Sequence, residues 1–264
     1  MNKLLSIDLF ADFGMLKKPD TNEPVYLTFN MLHKPALLGI FGAITGLSGF
    51  KEQGVFPEYF EKLKALKVGI APLETETKKY HDSGNFTKTI IKYNNSTGLA
   101  SDEAGGNLMV TEQTLVAPAY RCYLMLDSNN PDHAVLHHNL VRYKAEFLPY
   151  LGKNECALWW ENATPLQYDY YAPTGPFRIS SLFIKEESLK DGTRKVWFIP
   201  GITRTATSTF MYFENLPIGY ADKPLYQYEY RGFAFTNLEL SQDYKLPEEY
   251  PLLRLQNGQV IQVF

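Results

Sequence analysis

Only two cysteines, Cys122 and Cys156, occur in 264 residues, which excludes a disulfide framework and a cysteine-rich zinc site. No long apolar run is present either. The longest uncharged stretch lies between Lys34 and Lys51 and carries four glycines; a spanning helix needs roughly 18 apolar residues. The first apolar segment is broken by Asp8, too early for a secretory h-region. A cytoplasmic protein without a membrane partner is expected. A basic excess is also missing. Lys and Arg number 26 against 29 Asp and Glu, a formal charge of −3, so overall charge does not hold long duplex DNA. A local basic patch stays open.

Common catalytic signatures are absent too. No Gly-x-Ser-x-Gly elbow occurs, and Gly39–Gly46 has no Walker lysine. His133 and His137 stand four apart, but Ala134 occupies the place of a zincin glutamate and no third ligand is evident. No metal and no cofactor are expected. What the chain has in plenty is aromatic: 18 Tyr, 17 Phe and 3 Trp, or 14%. Tyrosine suits strands and offers a flat face with a polar tip.

Leu4–Phe13 reads as a first strand. After a polar loop, Pro35 opens an apolar helix to about Leu47, proline being well suited to a first helical position. Leu37, Leu38, Ile40, Phe41 and Ile44 cover most of its surface, while Gly39, Gly42, Ala43 and Gly46 make a separate stripe. Each interior glycine costs roughly 1 kcal/mol against alanine, so something approaches that stripe closely, a strand or a ligand. A second helix is expected over His133–Leu148, and strands from about Ala163 onward. Asp191-Gly192 and Asn257-Gly258 mark hairpin turns. Helices in the first 160 residues and strands throughout make the class α+β.

Arg231–Phe235 fits the start of an RNP1 signature, with Met211–Leu216 as a possible companion strand. Between Leu216 and Arg231, however, lie only 14 residues, including Pro217, Gly219 and Pro224, too few for the intervening helix and strand. Phe233 and Phe235 are therefore expected on a packed strand. Glu74–Asn95 reads as a hairpin with its tip at Asp82–Asn85. Lys79 then opposes Lys88, and His81 opposes Phe86. Like charges on one face repel, a penalty that an RNA strand across the face would remove. A solvated hairpin in another register explains the same residues.

Three segments carry a resemblance. Pro35-x-x-x-Gly39-x-x-Gly42-x-x-x-Gly46 after a short strand, Thr111–Tyr120, and Tyr150-Leu151-Gly152-Lys153-Asn154-Glu155-Cys156 resemble, in that order, the CRISPR-associated RAMP proteins of Cas family five, most like the type I-B branch. The resemblance implies a ferredoxin-like, RRM-type core over 1–160. It also implies an inserted β-hairpin thumb at about 73–118 and a β-rich part over 161–264. It implies a non-catalytic subunit of a type I Cascade complex that caps the crRNA 5′ handle. Its partners would be the backbone RAMP and large subunits, with target DNA met only through the complex. Candidate RNA contacts are His33, Lys34, Gly39, Lys78, Lys79, His81, Lys88 and Lys153. One subtype of the family cuts precursor RNA with a Tyr/Lys/His set, and Tyr26, His33 and Lys34 are what this chain offers toward it. Two alternatives stand beside this reading: a metal-independent endoribonuclease, and a Tyr-rich carbohydrate- or protein-binding module.

Overall fold

Leu4 to Leu9 are all buried, and alternation is lost because the first strand, β1 (Asn2–Ala11), is covered on both faces. A computed structural model describes residues 2–19, 24–73, 83–94, 109–185, 210–222, 225–242, 244 and 246–264. After β1 come β2 (Phe13–Gly14), β3 (Val25–Tyr26), α1 (Lys34–Thr45), α2 (Glu58–Leu63) and β4 (Lys67–Pro72). Next follow β5 (Lys88–Asn94), β6 (Met109–Val116), β7 (Ala119–Asp127), α3 (Pro131–Val141) and β8 (Leu158–Leu166). The remainder is β9 (Tyr168–Tyr170), β10 (Phe183–Ile184), β11 (Met211–Asp222), β12 (Gln227–Thr236), β13 (Leu252–Leu255) and β14 (Val260–Gln262). The class is α+β, rich in strands.

The central sheet has the order β4-β7-β1-β8, every neighbour antiparallel. One crossover carries α1 and α2 from β1 to β4; another carries α3 from β7 to β8. Leu5, Ile7 and Leu9 point to these helices, sharing one core with Leu37, Phe41, Ile44, Leu136 and Leu140. Leu4 on the opposite face packs with Leu253, Ile261 and Val263 of β13 and its neighbours. Asp8, 2% exposed, is held by Arg121 at 2.7 and 2.8 Å and accepts from Asn162 Nδ2 at 2.9 Å. A buried carboxylate needs such pairing.

Helix α1 starts where proline predicts. His33 is its N-cap, accepting from the Ala36 N–H at 3.3 Å, and Gly46 ends it in the left-handed region at φ 81°. The partner of the glycine stripe is α2, a helix the sequence reading did not assign: a Cβ on Gly42 would lie 2.5 Å from Tyr59 Cβ. The last carbonyls of α1 are capped by Asn139 Nδ2 on Ile44 and by the Glu146 and Phe147 N–H groups on Ile44 and Ala43. That cap shortens the second helix. α3 begins two residues before His133, on the Asn130 cap, and stops at Val141 rather than Leu148, because 143–148 is drawn across the end of α1.

Between β4 and β7 the chain builds a second sheet. β5 pairs with β6 antiparallel along its length, β2 pairs with β6 antiparallel and β3 with β6 parallel. Lys88 here opposes Leu115. Lys78, Lys79, His81 and the whole expected 74–81 strand lie outside the described residues, as do Asp191-Gly192 and the strand after it. The Asn257-Gly258 hairpin forms as expected between β13 and β14. β11 and β12 pair directly, Tyr212 opposite Phe235, and Phe233 is 1% exposed against Phe264. A boundary at residue 160 falls within β8, and Leu216, Phe233 and Phe264 join the same core as α1.

Candidate nucleic-acid interface

The left-handed turn at Gly152 seats a lysine. Gly152 has φ 86°, and a Cβ there would come within 2.0 Å of the Met15 carbonyl oxygen, so only glycine fits. The loop is pinned by Met15 N–H to Leu151 O at 3.1 Å and by Leu151 N–H to Cys156 O at 2.8 Å. Lys153 is thereby aimed at β6. Its Nζ lies 2.7 Å from Glu112 Oε2, 2.7 Å from Glu155 Oε1 and 4.6 Å from the centre of the Tyr93 ring. Burial pulls its pKa down, but the bonds to Glu112 and Glu155 outweigh that, and the net shift is upward.

Tyr26 stands directly beside Glu112 in the β3–β6 register, and Lys17 Nζ sits 3.6 Å over its ring. Tyr93 is two residues from Ile91, the other strand partner of Glu112, so it shares that face. The result is a strip of rings and charges in the order Tyr93, Lys153, Glu112, Tyr26, Lys17.

This strip runs into a groove of about 1060 Å³ along α1. Ala36, Gly39 and Ala43 line it from α1, Phe50 and Tyr59 from beyond that helix, and Tyr220 and Tyr228 from the β11–β12 hairpin. Phe147, Leu148 and Tyr150 border it too, because the α1 cap brings them there. Burial is the main cause that holds the phenols of Tyr59, Tyr220 and Tyr228 above the usual range, so they stay neutral donors. Three lysines, Lys17, Lys51 and Lys153, line the groove against Glu112 in its lining and Glu155 on Lys153, so the groove carries a small positive excess on an acidic molecule. Such a site suits a flexible anion carrying planar groups.

The candidate residues divide. His33, Gly39 and Lys153 border the groove. His33 is nevertheless 4% exposed; burial lowers its pKa to about 3, so it is a neutral helix cap and not a cation. Lys34 points elsewhere, donating from Nζ to the Phe264 carbonyl at 3.2 Å; burial, aided by Lys67, lowers its pKa to about 8. Lys88 is bound inward, donating to Asn30 Oδ1 at 2.6 Å, and burial lowers its pKa as well.

Asn30 centres a closed polar cluster. Its side chain donates to the Gly84 carbonyl and accepts from the Phe86 N–H at 3.1 Å, and its own carbonyl accepts from Tyr120 Oη at 2.9 Å. Glu214 reaches in from β11 to accept from the N–H groups of Asn30 and Met31 at 3.2 and 3.1 Å, with Lys18 at 3.1 Å and the Tyr212 hydroxyl also on it. Sequence reasoning left Lys17, Lys51 and Glu112 out of the site. The only available signal was the ring-and-lysine interleaving of 17–26, across a loop whose closure no local pattern specifies.

No protein-family model matches the chain, and no curated protein matches it. Several solved structures are similar. One belongs to a CRISPR RNA-guided surveillance complex, 11% identical over 92% of each chain with a TM-score of 0.46. A CRISPR protein from Archaeoglobus fulgidus is 12% identical over 99% of this chain and 98% of its own, with a TM-score of 0.48. A third belongs to a type III-B Cmr-beta complex bound to cognate target RNA and AMPPnP, 8% identical over 91% and 86%, with a TM-score of 0.48. At these identities and scores the likeness assigns neither family nor activity to this chain.

Proposed function

We propose that this chain is a non-catalytic RNA-binding subunit of a type I CRISPR surveillance complex, holding the 5′ handle of the crRNA in the α1 groove. One observation carries the RNA-binding reading: the ammonium groups of Lys17 and Lys153 lie against the exposed rings of Tyr26 on β3 and Tyr93 on β5, and this strip opens into a basic, aromatic groove. Cations suit phosphates, and rings suit bases splayed from a single strand. The strand order β4-β7-β1-β8 with its two helical crossovers supports a ferredoxin-like core, and the β5–β6 pair between β4 and β7 supports a thumb inserted there. The segments that carry the family resemblance supply Gly39, Gly152 and Lys153 to the groove.

The non-catalytic part is supported by His33, whose imidazole is buried, neutral and committed to the Ala36 N–H. It is poorly placed to move a proton for RNA cleavage, which calls for an accessible group titrating near neutrality. Direct titration of the purified chain, or of its assembled complex, with repeat-derived single-stranded RNA tests the proposal. Submicromolar, salt-sensitive binding is expected, with no cleavage in chelator. Absence of binding at low salt would sink the RNA reading, and cleavage products that vanish in His33→Ala would sink the non-catalytic one.

A further inference from the structure

We infer that Glu112 reads the donor edge of a guanine base in the groove; the inference rests on the RNA-binding reading and assigns its base specificity. Glu112 is 7% exposed, a carboxylate largely withdrawn from water. One oxygen, Oε2, accepts from Lys153. The other makes no hydrogen bond among the described residues, and Glu112 borders the groove. Lys153 does not require Glu112 for neutralisation, since Glu155 already lies 2.7 Å from its Nζ. The unbonded oxygen of Glu112 is not sealed from solvent, so it opens to the groove and can take a donor in place of water.

A carboxylate only accepts, so a phosphate does not belong at this point of the groove. Among RNA groups the donors that remain are base edges and ribose hydroxyls. Guanine places N1–H and its N2 amino group side by side, matching the two oxygens of one carboxylate; Oε2 keeps a second lone pair beside its bond to Lys153. Adenine and cytosine set an acceptor beside their amino group, and uracil flanks its single N–H with two carbonyls; each turns an acceptor toward the carboxylate. Lys153 and Lys17 together offset the carboxylates of Glu112 and Glu155, so the approaching RNA strand is not repelled. Tyr26, Tyr93 and Tyr150 lie nearby with about two-fifths of their surface open, at 37%, 39% and 41%, and such rings stack a base whose edge is read.

The test uses the full chain and fluorescence anisotropy with single-stranded RNA octamers of uridine carrying one central G, A, C or inosine. Wild type is expected to bind the G oligomer about tenfold tighter than the A or C oligomer, within the range of one bidentate base contact. Inosine, which keeps N1–H and lacks the amino group, should fall between. In Glu112→Gln the preference for G over A and C should vanish, read as the ratio of affinities within that variant, whatever its affinity for all-uridine RNA. Should that variant misfold, the inosine series on wild-type protein still decides. Equal binding of all four oligomers by wild type, or a G preference that survives in Glu112→Gln, overturns the inference and leaves RNA binding standing. Failure to bind any oligomer overturns the RNA reading itself.

Discussion

Around Asn30 and around Glu112 the chain assembles the same kinds of side chain: a carboxylate, lysines and tyrosines. In the first cluster every valence turns inward. Glu214 takes two backbone N–H groups, a lysine and a phenol, and Asn30 serves Gly84, Phe86, Lys88 and Tyr120. In the second, Glu112 keeps an oxygen in reserve and three tyrosines beside it stay two-fifths open. Composition does not separate the two; the pairing of strands does. β11 brings Glu214 under the 27–33 loop and closes one cluster, while β3 sets Tyr26 at the mouth of a groove and leaves the other open.

The largest expected effect breaks the closed cluster. Asn30→Ala removes the acceptor of Phe86 N–H and of the Lys88 ammonium, and should cost about 3–5 kcal/mol of unfolding free energy, read as a lower urea midpoint. Phe233→Ala should cost a similar amount, about 3–5 kcal/mol, whereas a stacking role would leave the melting point alone and abolish RNA binding. A groove-like role for Asn30 would show the same inverted pattern.

His33 sharpens the comparison through pH. Unfolded, its imidazole takes a proton below about 6.5; folded, it resists until about 3. The unfolded state therefore binds more protons in that window, and stability falls as pH drops from 6.5 toward 3, by up to a few kcal/mol. Asparagine also caps helices. His33→Asn should keep α1 and flatten this acid slope in urea titrations at several pH values. An unchanged slope would mean that another group carries the acid sensitivity.

On the open side, Tyr26→Ala should change the unfolding free energy by no more than about 0.5 kcal/mol and weaken RNA binding by about 1–3 kcal/mol. The smallest effect belongs to Lys17→Ala and Lys51→Ala. Each should reduce the salt slope of RNA affinity by about 0.7 for each phosphate it neutralises, with the fold intact. A lysine whose loss leaves the slope untouched faces no phosphate.

The start of α1 at Pro35, its buried residues and the Asn257-Gly258 hairpin were legible because each depends on neighbours a few residues apart. Spacing also separated Phe233 from an RRM platform. The local bonding of His33, Lys34 and Lys88 was not legible because a sequence shows a charge without its partner. Their partners are Ala36, Phe264 and Asn30, and two of the three come from far along the chain or across a loop. α2 escaped notice for its brevity, although Gly42 is shaped around its Tyr59.

The outer edge of β4 is sealed by Phe264, which exchanges hydrogen bonds with Val68 in both directions at 2.9 Å. During synthesis Val68 leaves the ribosome long before its partner does, on the order of ten seconds at about 20 residues per second. Through that interval the central sheet has an open hydrogen-bonding edge, a surface on which another nascent chain can add a strand. An edge closed by so distant a residue is open longer than one closed by the next strand in sequence, a vulnerability that the finished molecule no longer displays.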